Sequence, residues 1–350
     1  MAYTTINKSS DHFNTVLYTG DGSASDRTIT NVGFKPDWLW NKSRSNAYNH
    51  YIFDVLRGTN MIGSNASTQE EDKSPQFSAF TSDVFTITND AGSLAINASG
   101  VTFANWCWKA NGAGVSNTDG SITSTVSANT TSGFSVVTYS GNSTAGATIG
   151  HGLGVAPEIV FYKATTAAFD WLVYSKALGA TKELVLNSTA AGTTSSVFNN
   201  QDPTSTNLIV NTNSGNNSSS HSYVAYCFAP KKGFSKFGSY VGNGSADGTF
   251  VYTGFKPAMI IFKNTTTSGT SWTIYDNKRD TYNVTNHLLL PSGSDPEISA
   301  NSTLYLDFLS NGFKMRGANS TFNTSGDTYI YMAFAEEPLV GTNNIPATAR

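Results

Sequence analysis

Large apolar residues in this chain recur in short runs that follow a Gly-x-x-Pro motif. Proline cannot donate a hydrogen bond to a neighbouring strand, so it fits the first residue of a strand, and the apolar run after it predicts a buried strand. A lysine ends each run, where we expect the chain to return to water. The motif occurs three times, at residues 33–42, 154–163 and 254–263. The core residues that it predicts are Pro36, Trp40, Pro157, Phe161, Pro257 and Phe262.

The segments around the three motifs match as well. Each motif follows a strand pattern that ends in a Gly-Asn or Gly-Asp turn, and each is followed by an aromatic strand pattern and a closing strand pattern. Successive motif prolines lie 121 and 100 positions apart (Pro36, Pro157, Pro257). The repeat is therefore the size of a domain. Together with poor helix periodicity, it predicts an all-β chain of three tandem domains, each a β-sandwich or a jelly-roll-like fold.

The matching segments divide the chain into six parts. The predicted parts are an N-terminal arm (1–14), β repeat 1 (15–111), a Gly/Ser/Thr/Asn-rich linker or hairpin (112–132), β repeat 2 (133–231), β repeat 3 (232–338) and an irregular C-terminal tail (339–350). The unequal spacing favours a string of domains, with repeats 2 and 3 closely packed, over three domains folded around a common axis.

Charge and cysteine content exclude several classes of protein. Only 13% of the residues are charged and the net charge is −3, so solubility depends on hydroxyl and amide side chains. Lysines and arginines form no large cluster, which argues against a nucleic-acid partner. The two cysteines, Cys107 and Cys227, occupy equivalent positions, and we expect small buried side chains there, not a disulfide or a metal site. The N-terminal residues lack a signal-peptide pattern, and no apolar run is long enough to cross a membrane.

Candidate catalytic groups are sparse, and we expect neither enzymatic activity nor a cofactor. Glycosidases need two carboxylates that flank a bond, and Asp54 and Asp276 occupy aligned positions, but repeat 2 has Ser175 there. The five histidines are scattered without the spacing of metal ligands.

Trp106 and Trp108 allow two interpretations. Residues two apart on a strand point to the same face, so both indoles lie side by side. They can form part of the core, or they can form a platform on which a sugar ring stacks. Similar residues persist at this position in the other two repeats, Tyr226 with Phe228 and Met332 with Phe334, and this favours the core.

Several segments resemble a known protein family. They are Met-Ala-Tyr-Thr-Thr-Ile at the start, residues 33–45 around the first motif, Phe53–Gly58, Trp106–Lys109, and Tyr331–Pro338 with a Pro-Ala-Thr-Ala-Arg tail. Together they resemble structural proteins of tailed-phage particles, common in marine podoviruses and myoviruses and often labelled tail-fibre-like. The resemblance is more specific for repeat 1 than for repeats 2 and 3. It implies a particle component without a catalytic mechanism.

The resemblance leads to a functional hypothesis with two alternatives. We expect a virion protein of the tail-fibre or receptor-binding type, made in the host cytoplasm, whose partners are other virion proteins and a host surface glycan or protein. The alternatives are a capsid decoration protein and a polysaccharide-degrading enzyme. We also expect a homo-oligomer, with a trimer favoured, because a lone chain leaves sheet edges and aromatic surface to cover. The N-terminal arm and repeat 1 are the expected site of attachment to the particle.

Overall fold

The computed structural model describes residues 3–88, 95–300, 302–340 and 346–348. Apart from a short 3-10 helix at Ser9–Asp11, every regular element in these residues is a β-strand, which confirms the all-β class. The strands fall into three units.

The first unit holds β1 to β9. Its strands are β1 (Phe13–Thr19), β2 (Arg27–Ile29), β3 (Trp38–Ser43), β4 (Tyr51–Asp54), β5 (Asn60–Gly63), β6 (Glu71–Asp72), β7 (Phe77–Thr81), β8 (Val84–Ile87) and β9 (Thr102–Trp108). The second unit holds β10 to β19. Its strands are β10 (Val115–Asn117), β11 (Ser124–Asn129), β12 (Phe134–Ser140), β13 (Ala147–Gly150), β14 (Ile159–Ala164), β15 (Leu172–Ser175), β16 (Lys182–Val185), β17 (Thr193–Thr194), β18 (Asn207–Val210) and β19 (Ser222–Phe228). The third unit holds β20 to β26. Its strands are β20 (Ser235–Val241), β21 (Phe250–Tyr252), β22 (Phe255–Asn264), β23 (Thr273–Asp276), β24 (Leu306–Leu309), β25 (Gly312–Met315) and β26 (Thr328–Pro338).

The same strand order occurs in the large sheet of each unit. The opening strand pairs with the closing strand, which pairs with the motif strand, which pairs with the aromatic strand, giving β1-β9-β3-β4, β12-β19-β14-β15 and β20-β26-β22-β23. All these pairs are antiparallel. A small second sheet accompanies each large one: β2-β8-β7, β13-β18 and β21-β25-β24. Three separate apolar clusters, one for each unit, contain residues from both of its sheets, so each unit is a two-layered sandwich.

The other faces of the three large sheets meet in one central core. This core contains Trp40 from the first unit, Phe161 from the second and Ile261 from the third. The large sheets are therefore covered on both faces, which explains why their motif strands are buried at every residue and do not alternate with polar positions.

Three aromatic rings mark the middle of the central core. Trp108, Phe228 and Phe334 end the equivalent segments of the three closing strands, and their ring centroids lie 6.3, 5.3 and 6.0 Å apart, pair by pair. Equivalent residues can all touch one another only if the three units surround a common pseudo-threefold axis. The predicted string of domains is wrong, because the first and third units are in direct contact.

The N-terminal residues are part of this arrangement. Ile6 is buried in the central core, and the Tyr3 hydroxyl donates a 2.7 Å hydrogen bond to the Gly254 carbonyl of the third unit. Phe13 already opens β1. Residues 3–14 therefore pack against the body of the protein, and the predicted arm does not project from it.

The unequal spacing of the motifs has a local cause. Residues 112–132, predicted as a linker or a hairpin, contain β10 and β11, which pair antiparallel and extend the large sheet of the second unit. The extra hairpin lengthens the first interval without separating the units.

The six predicted core residues of the motifs are all buried, but two details differ from the prediction. Pro36 and Pro157 lie two residues before their strands, whereas Pro257 lies inside β22 at a shift of register, a bulge where a missing N–H is tolerated. Phe262 is buried in the outer core of the third unit; Ile261 is the residue that faces the axis. A shift by one position on a strand exchanges the two faces.

We predict that Trp40→Ala and Phe161→Ala each lower the free energy of unfolding by about 3–5 kcal/mol, because each removes a fully buried ring from the central core. Urea denaturation followed by circular dichroism measures the change. Val115→Ala is the control, since Val115 is 63% exposed and its truncation should cost less than about 0.5 kcal/mol. A loss for either aromatic variant as small as that of the control contradicts the packing.

Candidate functional site

The three motif lysines are fully buried and join the units in a ring. Lys42 of the first unit donates to the Ser294 carbonyl of the third at 3.1 Å. Lys163 of the second unit donates to Ser67 of the first at 2.9 Å. Lys263 of the third unit donates to Thr189 of the second at 3.4 Å. We expected these lysines to lie in water, and this expectation is wrong. Each one instead binds a carbonyl of the preceding unit, in cyclic order.

A second ring of contacts follows the same order. Trp171 and Trp272 donate their indole N–H to the carbonyls of Gly63 and Val185 in the preceding unit, at 2.8 and 2.9 Å. In the first unit the equivalent residue is His50, whose Nε2 lies 2.9 Å from the Leu290 carbonyl. Nδ1 of His50 accepts a hydrogen bond from the Trp40 indole at 2.9 Å, so the imidazole is neutral with its proton on Nε2.

Two of the three interfaces also contain a buried carboxylate. Asp54 pairs with Arg57 at 2.6 Å and accepts a hydrogen bond from the Tyr226 hydroxyl of the second unit at 2.7 Å. Asp276 pairs with Arg279 at 2.6 Å and accepts one from the Trp106 indole of the first unit at 3.0 Å. Buried charges persist only when paired and hydrogen-bonded, and both carboxylates meet that condition.

The third interface replaces the whole set. Ser175 stands in the place of the aspartate, Leu178 in that of the arginine, and Met332 in that of the Tyr226 or Trp106 donor. Leu178 packs against the central core that includes Met332. Because acceptor, cation and donor are exchanged together, the aspartates are structural members of the interfaces. Asp54 and Asp276 thus each form an ion pair within their own unit and accept a hydrogen bond from the neighbouring unit.

The tryptophans and cysteines that the sequence raised as possible binding residues are also buried. Trp106 and Trp108 are 0% and 1% exposed, so the glycan-stacking interpretation is wrong for both and they belong to the core. Cys107 and Cys227 are buried free thiols, and burial raises the pKa of each. Among the described residues no group of three or more acidic, histidine or cysteine side chains could hold a metal ion.

One surface groove combines exposed aromatic and cationic side chains. We call it the unit-3 groove; it is a cavity of about 450 Å³ lined mainly by Tyr3, Lys232, Lys236 and Tyr252. The ammonium of Lys232 lies 4.5 Å from the centroid of the Tyr3 ring, and that of Lys236 lies 5.4 Å from the centroid of Tyr252. Burial, followed by the neighbouring Tyr252 hydroxyl, raises the pKa of Tyr3 to about 12, which keeps this phenol neutral.

The equivalent positions in the other units are small or neutral. Lys236, which donates to the Tyr252 carbonyl at 2.6 Å, corresponds to Asn14, which donates to the Asn31 carbonyl at 3.3 Å. In the second unit the pair is Ser135 and Gly152. Sequence reasoning missed the groove, although a comparison of the three repeats at these positions contains the signal.

Comparison with known proteins gives one family. Residues 8–338 match the model of a domain of unknown function, DUF7483. The chain belongs to this family. The match extends through all three units, so the family is defined over the complete ring. No curated protein and no solved structure matches the chain. The family description does not mention a phage particle, so the resemblance to phage proteins stays a prediction. Within the described residues, no helix has the length and apolar character to span a membrane.

We predict that the protein becomes more stable as pH rises from 6 to about 9. Burial, followed by the charge of Lys42, lowers the pKa of His50 well below its usual value, so the unfolded chain binds a proton that the folded one does not, and stability falls below about pH 6.5. Burial lowers the pKa of Lys42, Lys163 and Lys263 to about 8. Between this value and their unfolded value of about 10.4 the unfolded state again binds more protons, so stability rises with pH.

Thermal midpoints measured by calorimetry from pH 6 to 9 test this expectation. Above about pH 9 the two buried cysteines oppose the rise, because their thiols ionise in the unfolded chain and not in the folded one. His50→Gln is the matched variant for the acid limb, since a carboxamide can donate to Leu290 and accept from Trp40 without titrating. A midpoint that falls between pH 6 and 8.5 in the unaltered protein contradicts the assignment.

Proposed function

We propose that the chain is a structural component of a phage particle, an appendage of the tail-fibre or receptor-binding type that contacts the bacterial surface. One observation carries the non-catalytic part of this proposal. The candidate carboxylates Asp54 and Asp276, and the buried imidazole of His50, are held in contacts between or within the units. A protein whose reactive side chains hold its units together is suited to rigidity and binding.

The assignment to a phage particle is supported by the resemblance of repeat 1 and the C-terminal segment to tailed-phage structural proteins. The composition agrees with it, because a surface of hydroxyls and amides suits a protein that must persist outside a cell. The unit-3 groove supplies an exposed place for contact.

A capsid decoration protein is the second candidate. The observation that favours it is the closed ring itself: the described residues form three sandwiches around one axis and contain no extended shaft. A compact body of this kind fits the shell of a capsid as well as the tip of an appendage.

Immunogold electron microscopy on purified particles distinguishes the candidates. We expect antibodies against the chain to label the tail or its appendages in intact particles. Label on the head supports the decoration protein. Gradient-purified particles from which mass spectrometry recovers no peptide of this chain contradict both.

A further inference from the structure

We propose that the unit-3 groove binds an acidic saccharide, with the acidic group between Lys232 and Lys236 and a sugar ring on Tyr252. The inference rests on the proposed contact with a cell surface and names the ligand of that contact.

Charge favours an anionic ligand. The described residues that line the groove include no aspartate or glutamate, and neither Lys232 nor Lys236 has an ion-pair partner among the described residues. The whole chain carries a net charge of −3, so this local excess of positive charge runs against the balance of the molecule. An ammonium has three donors, and Lys236 uses one on the Tyr252 carbonyl, which leaves donors for a carboxylate or a phosphate.

Aromatic exposure favours a sugar ring next to that anion. Tyr252 is 48% exposed, and Phe250, two residues earlier on β21, is 45% exposed on the same side of the strand. An aromatic face binds the C–H face of a pyranose, and the phenol hydroxyl adds a polar partner. Most aromatic residues of this protein are buried, so two adjacent exposed rings stand out against the rest of the fold.

The size of the groove favours a small ligand over a protein partner. Its volume of about 450 Å³ lies within the range of about 300–1,000 Å³ that is usual for small-molecule sites. Ser235 and Thr253 contribute to its lining, and the Tyr3 hydroxyl contacts the Gly254 carbonyl at its edge. These groups are engaged within the protein, since Thr253 donates to the Phe255 carbonyl and Ser235 accepts from the Lys231 amide, so the two lysines supply the polar contacts to the ligand.

The other two units show that the fold does not require these side chains. Asn14 performs in the first unit the backbone contact that Lys236 performs in the third, and its carbonyl partner is Asn31 instead of Tyr252. The second unit manages with Ser135 and Gly152. Lys236 and Tyr252 thus occur in only one of the three units. We therefore infer that they bind a ligand, since the fold forms without them in the other two.

Isothermal titration calorimetry on the purified full chain tests the inference. The probes are trigalacturonate and a hyaluronan tetrasaccharide, with galactotriose as the neutral match, hexaglutamate as an acidic peptide and inorganic phosphate as a bare anion. The variants Lys236→Asn and Tyr252→Asn carry the residues of the first unit. Lys35→Ser is the control, because it removes one exposed lysine from another unit and leaves the groove intact.

We expect at least one uronate probe to bind about tenfold or more tighter than galactotriose, and each groove variant to weaken it about tenfold, the effect of losing one charged or stacked contact. Lys35→Ser should change the affinity less than about twofold. The inference is overturned if neither uronate is preferred over galactotriose, if Lys35→Ser weakens binding as much as Lys236→Asn, or if hexaglutamate or phosphate binds equally well and Tyr252→Asn has no effect. The last result identifies an acidic peptide or an anion as the ligand.

The titration needs no particle, so its outcome is separable from that of the proposed function. If the chain is found in particles but does not bind the uronates, only the proposed ligand is contradicted. A chain that binds a uronate but is absent from particles overturns the particle assignment alone.

Discussion

The structure depends on the contact among Trp108, Phe228 and Phe334, where three equivalent rings meet around one axis. Each of these aromatic residues belongs to the large sheet of one unit. The opposite face of that sheet is already buried within the sandwich of the same unit. Burial of a large aromatic side chain is worth about 1.5–3 kcal/mol, and each sheet can gain it only if the other two are present. The chain therefore performs internally the closure that a homotrimer achieves with three copies. The trimer was predicted because a single chain was expected to leave aromatic surface uncovered. The central core covers that surface, so the argument no longer holds. The oligomeric state itself stays a prediction.

The polar contacts between units show how one arrangement is specified three times with different residues. The lysine ring and the backbone bonds from Glu70 to Thr165, Gly192 to Thr265 and Glu297 to Arg44 are present at all three interfaces. Asp54 and Asp276 serve two of the interfaces, and Ser175 with Met332 serves the third. At the first two of these interfaces the Tyr226 and Trp106 donors each have a carboxylate acceptor, and at the third Leu178 and Met332 replace the cation and the donor together. Such consistency fixes the order of the units around the axis.

Much of the fold could be predicted from the sequence, because strands and turns leave local signals. The three motif strands, the shared face of Trp106 and Trp108, and the all-β class follow from period and residue type. The arrangement of the three units around a shared core could not be predicted. The same apolar strands occur in domains that follow one another in a string and in domains that share one core. Lys42 was expected in water because a lysine after an apolar run usually leaves the core. Its ammonium is instead held by the nearby Ser43 and Asn46 carbonyls and by the Ser294 carbonyl of another unit, which the sequence does not reveal. The unit-3 groove depends on the fold bringing Tyr3 next to Tyr252.

The most direct test of the shared core is the ratio of calorimetric to van't Hoff enthalpy in a thermal unfolding experiment under reversible conditions. If the three units depend on one core, they unfold together, and the ratio is close to one despite the length of the chain. Three independent sandwiches would unfold separately and give a ratio approaching three. A ratio near one supports the account, and a ratio near three, or transitions that can be assigned to single units, contradicts it.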